Sequence, residues 1–93
     1  MKWTEVIKIQ TADGNNSSLK KQLNELIAEA GHNKEIGEIK LYHNAKVAND
    51  LSIHLYWESN KAEAQGSATA LFISHLLKEF GLVSHSVWIE DIK

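Results

Sequence analysis

Apolar side chains recur along this chain with two different periods, and the changes of period divide it into six elements. From Trp3 to Gln10, Trp3, Ile7 and Ile9 fall on one side and Thr4, Lys8 and Gln10 on the other. That alternation predicts a strand with one face on a core. Glu5 breaks its apolar side and Val6 its polar side. After a turn cluster from Thr11 to Asn16, the residues Leu19, Leu23, Leu26, Ile27 and Ala30 form one stripe at helical spacing. Asn16 or Ser17 is placed to cap that helix by accepting an orphan backbone N–H, and Gly31 to close it in the left-handed conformation that costs glycine nothing.

Alternation resumes from Glu38 to His43 with Ile39 and Leu41 inward, and a loop from Asn44 to Asp50 leads to a second run, Leu51 to Trp57. In that run Leu51, Ile53, Leu55 and Trp57 share one face, and Ser52, His54, Tyr56 and Glu58 the other, which predicts a β-hairpin. Pairing Leu41 with Ile53 or with Leu55 keeps the apolar faces together, so the faces follow from the pattern and the register does not. A second helix falls between Asn60 and Phe80, starting early at a Ser59 or Asn60 cap or later, after Gly66 and Ser67. Phe72, Ile73, Leu76, Leu77 and Phe80 form its expected stripe, and Gly81 repeats the closing-glycine signal. A last strand, Leu82 to Ile92, puts Val83, Val87 and Ile89 opposite Ser84, Ser86, Trp88 and Glu90. The order predicts an α+β, ferredoxin-like β-α-β-β-α-β fold: a four-stranded antiparallel sheet with two helices on one face. Ninety-three residues suit one such domain, spanning 1–93.

Composition narrows the chemistry. All ten basic residues are lysine and the formal net charge is −2, so the positive field and arginine forks that attract phosphate backbones are missing and nucleic acid is not an expected partner. The absence of cysteine excludes disulfides, thiolate metal sites and cysteine nucleophiles. No apolar run has the length of a signal sequence or a membrane span, so a soluble cytoplasmic protein without a membrane partner is expected.

With the apolar strand faces under the helices, the other sheet face displays Val6, Lys8, Gln10, Lys40, Tyr42, His54, Tyr56, Glu58, Ser84, Ser86, Trp88 and Glu90. Three aromatic rings beside Val6 exceed what a solvated face requires, and such a patch marks an interface or a ligand groove.

Element order and face composition together resemble the dimeric α/β-barrel superfamily, in which two ferredoxin-like protomers set their open sheet faces against each other around a cavity. The resemblance spans the whole chain and is similar in plan to antibiotic-biosynthesis monooxygenase-like and stress-responsive barrel proteins. It implies a homodimer formed through the open face and a cavity for a small aromatic or other organic ligand. Cofactor-independent monooxygenase-like activity is one implied function; a structural or regulatory dimer with no catalysis is the alternative. Haem-degrading relatives combine an asparagine on the first strand, a tryptophan near the third and a histidine on the second helix. Here Gln10, Trp57 and His75 stand nearest those places; Gln10 departs from the pattern, Trp57 falls on the helix side and His75 only flanks the apolar stripe. Haem chemistry is therefore not carried over, and no cofactor is expected.

His54 is the candidate catalytic base, because imidazole titrates near neutrality. Lys8 and Lys40 are candidates for holding an anionic group of a ligand, and Tyr42, Tyr56 and Trp88 for stacking on its ring. The ordinary roles are a histidine bonded to Tyr42, Glu58 or a partner subunit, interface aromatics, and lysines solvated or paired with Glu58 or Glu90. No metal site is expected: His43 and His85 point toward the helix layer and His54 away, so they cannot share a coordination sphere. Ser84, His85 and Ser86 alternate in facing and cannot form a nucleophile–base pair among themselves. The first strand–helix loop lacks the arginine of acylphosphatase-like domains and the Cys-x-x-Cys of metallochaperone-like ones, and its Gly14 reads as a turn residue.

Overall fold

The computed structural model describes residues 1–11, 17–32, 35–47 and 49–91. The elements run β1 (Lys2–Thr11), α1 (Ser17–Ala30), β2 (Ile36–His43), β3 (Asp50–Glu58), α2 (Ala68–Leu77) and β4 (Gly81–Ile89). The strands form one antiparallel sheet in the order β2-β3-β1-β4, the expected ferredoxin-like arrangement. The expected helix cap at Asn16 or through the Ser17 side chain, the Gly14 turn and the strand end at Ile92 lie outside the described residues.

Strand parity builds the core. Trp3, Glu5, Ile7 and Ile9 of β1 stand opposite Trp57, Leu55, Ile53 and Leu51 of β3. Leu19 and Leu23 of α1 and Ala70, Ile73 and Leu77 of α2 are buried with them. Trp3 and Trp57 stack at 5.2 Å with their planes 11° apart. Between β2 and β3 the register is Leu41 against Ile53. A bulge between Ile36 and Glu38 adds Gly37, so that Ile36 meets Trp57 and Ile39 meets Leu55 although an odd spacing would otherwise put them on opposite faces.

Gly31 follows α1 without the left-handed conformation expected of it, since among the described glycines only Gly66 has a positive φ. The structure also decides one open choice and corrects two expectations around α2. First, α2 takes the later of its two starts, because Ser67 is its N-cap, accepting a 3.0 Å bond from the Ala70 N–H. Secondly, Phe72 is not in the buried stripe. Seen from that start the sheet-facing residues are Ala70, Ile73, Ser74 and Leu77, which leaves Phe72 59% exposed, while Phe80 packs partly on the core from the turn beyond the helix. Thirdly, Gly81 does not close the helix, which is capped at Lys78; it is the first residue of β4, paired with Thr11. A Cβ at Gly81 would stand 2.1 Å from the Gln10 carbonyl oxygen, so close approach of two backbones requires the glycine. No helix among the described residues is long and apolar enough to cross a membrane.

Candidate functional site

The even-numbered side chains of β1, β3 and β4 occupy the sheet face away from the core, and the register sets them in rows. Lys40, His54, Val6 and Ser86 form one row across the sheet; Glu38, Tyr56, Thr4 and Trp88 the next; Tyr42, Ser52, Lys8 and Ser84 the row on the other side. Tyr42 is 41% exposed, Trp88 63% and Leu82 75%. Leu82 adds to the apolar content expected of this face, since it is the β4 partner of Gln10.

His54 is the centre of a cluster built by β2 and β3. Its ring meets Tyr42 edge-on at 4.6 Å and 61°, and lies 6.2 Å from Tyr56. The two tyrosine hydroxyls are 3.5 Å apart. Ser52 Oγ is 3.2 Å from His54 Nε2, a partner that follows from their two-residue spacing on one strand face but was not among the sequence candidates. Burial, and after it the positive charge of Lys8, push the His54 imidazole below its ordinary 6.5, so the ring is neutral with a free lone pair at pH 7. The Tyr56 phenol is raised above its ordinary 10.0, first by its hydrogen bond with Tyr42, then by burial and the nearby Tyr42 and Glu38, and it remains an O–H donor. Lys40 Nζ stands 3.3 Å from Glu38 Oε1, with both side chains about half exposed, a pair of little energetic weight. Lys8 makes no ion pair among the described residues.

The fold thus gathers His54, Tyr42, Tyr56, Lys40 and Lys8 on β1, β2 and β3. Trp88 shares the face but not the cluster: it lies on edge strand β4, two strands or about 10 Å from β3, and its Nε1 donates to Ser86 Oγ at 2.8 Å. A groove of about 390 Å³ opens at the Lys8 end, bordered by Lys8, Gln10, Asp50, Ser52, Leu82 and Ser84 among others. Gln10 is exposed, Trp57 buried against Trp3, and His75 exposed on α2, so these three residues do not converge. No group of three potential metal ligands occurs among the described residues.

The inner face carries a second polar cluster that sequence reasoning missed. Glu5 is fully buried and its carboxylate accepts three hydrogen bonds: from the Ser67 N–H at 3.0 Å, the Ser67 hydroxyl at 2.5 Å and His85 Nε2 at 2.7 Å. The group ties β1 and β4 to the first turn of α2, where a negative charge is favoured by the helix dipole. Gly66 precedes it at φ +103°, and a Cβ there would stand 2.6 Å from His85 Cε1. The signal was present as the one acidic residue on the apolar side of β1.

No protein-family model matches the chain, and no curated protein does. Solved structures do. A conserved protein from Methanosarcina mazei superposes with a TM-score of 0.78 at 16% identity, over 97% of this chain and 93% of that one. Rv0793 from Mycobacterium tuberculosis gives 0.75 at 18%, over 100% and 98%. The chain carries their fold. The same ferredoxin-like fold is found in a variant of SnoaB, a cofactor-independent oxygenase from Streptomyces nogalater, with a TM-score of 0.74 at 14% identity over 99% of this chain and 95% of that one. In this chain that fold leaves one sheet face without helices, and the His54 cluster stands on it.

Proposed function

We propose that the chain forms a homodimer whose open sheet faces enclose a chamber for a small organic molecule, and that the chamber hosts cofactor-independent, oxygenase-type chemistry. The observation that carries this reading is the His54–Tyr42–Tyr56 cluster on a face that also exposes Trp88 and Leu82. A second copy would bury those rings and exclude water from the imidazole. Neutral His54 is the base that takes a proton from an acidic C–H of the ligand. The electron-rich carbanion then reacts with dioxygen; a methylene plus dioxygen gives a carbonyl plus water, so the balance needs no external reductant. Lys8 and Lys40 hold an anionic substituent, and Tyr42, Tyr56 and Trp88 provide ring surfaces. The likeness in fold to SnoaB supports this reading.

A structural or regulatory dimer without catalysis has one observation in its favour: Trp88 lies two strands away from β3 and His54, as an interface aromatic would. Sedimentation at micromolar concentration tests the shared premise. A dimer is expected, and Trp88→Glu should shift it toward monomer; a wild-type monomer at every concentration overturns the chamber. Oxygen uptake in the presence of small aromatic ketones separates the two readings, since the inactive dimer consumes none.

A further inference from the structure

The two stacked indoles on the inner face differ in what their ring N–H groups meet. Trp3 Nε1 donates to Ser59 Oγ at 2.9 Å, and the Ser59 hydroxyl donates onward to the Lys61 carbonyl at 2.9 Å, which ties the chain after β3 to the stacked pair. Trp57 is 5% exposed, and its Nε1 has no hydrogen-bond partner. A buried N–H without an acceptor is costly, so such a group calls for one supplied from outside the chain. Trp57 lines a groove of about 350 Å³ between the segment after β3 and the start of α2, and Ala68 and Thr69 line it too. Their N–H groups are the first two of the ten-residue helix, with no partner inside it and none elsewhere among the described residues. The neighbouring donors are taken: the Ser67 N–H by Glu5 and the Ala70 N–H by Ser67 Oγ. Lys61 borders the same groove and makes no ion pair among the described residues.

We propose that this groove binds a small monocarboxylate, whose oxygens accept from the Ala68 and Thr69 N–H groups and Trp57 Nε1–H while Lys61 neutralises its charge. A carboxylate offers about four lone-pair sites, enough for all these donors. The positive end of the α2 dipole favours the anion further. Glu35 and Glu63 also border the groove, so a second negative charge on the ligand is opposed, and a carboxylate is preferred to a phosphate dianion. The volume leaves room for a short alkyl chain behind the carboxylate. The site is on the helix side of the sheet, so it stands whether or not the open face takes a ligand.

The test is titration of the isotopically labelled full chain with sodium butyrate at constant ionic strength, followed by proton–nitrogen NMR. The indole signal of Trp57 is identified as the one that Trp57→Phe removes. Wild-type protein should show saturable shifts of that signal and of the Ala68 and Thr69 amides with one common affinity, while the Trp88 indole stays still. Lys61→Met, a surface change that leaves the core intact, should weaken binding by about tenfold, as should Trp57→Phe, each removing one charge-assisted contact. Inorganic phosphate should bind more weakly than butyrate. No saturable shift up to tens of millimolar overturns the proposal, and an acceptor met only by water is then the reading of Trp57. Movement of the Trp57 indole without Ala68 and Thr69 also overturns it, since the ring borders a second groove beside Gly37. Affinity unchanged in Lys61→Met, or phosphate bound as tightly as butyrate, refutes the assigned ligand chemistry.

Discussion

Ser67→Ala is the sharpest probe of the inner polar cluster, because one hydroxyl has two duties there. Its oxygen accepts from the Ala70 N–H as the cap of α2, and its proton goes to the buried Glu5 carboxylate. Loss of a serine cap costs about 1 kcal/mol. A hydrogen bond to a charged, fully buried acceptor adds about 2 kcal/mol, because no water replaces the lost donor. The expected total is about 3 kcal/mol, out of a whole-domain stability of about 5–14 kcal/mol for a chain of this size. The melting temperature should fall by about 15 °C. Urea unfolding at pH 7, followed by far-ultraviolet circular dichroism, measures the loss, with Ser84→Ala on the exposed face as a control within about 0.5 kcal/mol of wild type. Repeating the change in a Glu5→Gln background isolates the coupling between the pair. A loss below about 1 kcal/mol, or a coupling near zero, would refute the assignment of Glu5 as the anchor of α2.

Two further outcomes follow from single positions. Gly81→Ala sets a methyl group against the Gln10 carbonyl, a backbone atom that cannot turn aside; it should cost at least about 1–3 kcal/mol and speed amide exchange in β4, and wild-type stability would show that β4 does not approach β1 so closely. His54 should titrate below 6.5 by NMR, and Lys8→Met should raise its midpoint, since Lys8 is the second cause of the depression after burial. With the folded value below the unfolded one, the unfolded chain binds more protons in the window just under 6.5, so His54 costs nothing above that pH and destabilises the fold as acid is added. A midpoint at or above 6.5 would remove the neutral base.

Much of the architecture was legible as periodicity. The alternation of Leu51, Ile53, Leu55 and Trp57 against Ser52, His54 and Tyr56 set which rings face away from the helices, and β3 has that parity. Gly81 and Phe72 were misplaced for related reasons. Glycine after an apolar stripe signals a helix end in most contexts, whereas here the constraint is a neighbouring strand; and the face a helix buries depends on where it starts, which Ser67 and its contact with Glu5 decide. The Ser52–His54 contact lies between residues two apart and needed only the strand assignment.

Element types, their order and the two faces of each strand were thus determined by the sequence alone, because periods of two and of 3.6 are properties of neighbouring residues. The tertiary structure decided the rest. Glu5 finds Ser67 and His85 at sequence separations of 62 and 80. Tyr42 stands opposite Ser52 and meets His54 on the diagonal because β2 pairs with Leu41 opposite Ile53; with Leu41 opposite Leu55 it would stand directly across from His54. Either register satisfies the same alternation, so the choice between them belongs to the packing of the whole sheet and to the bulge at Gly37.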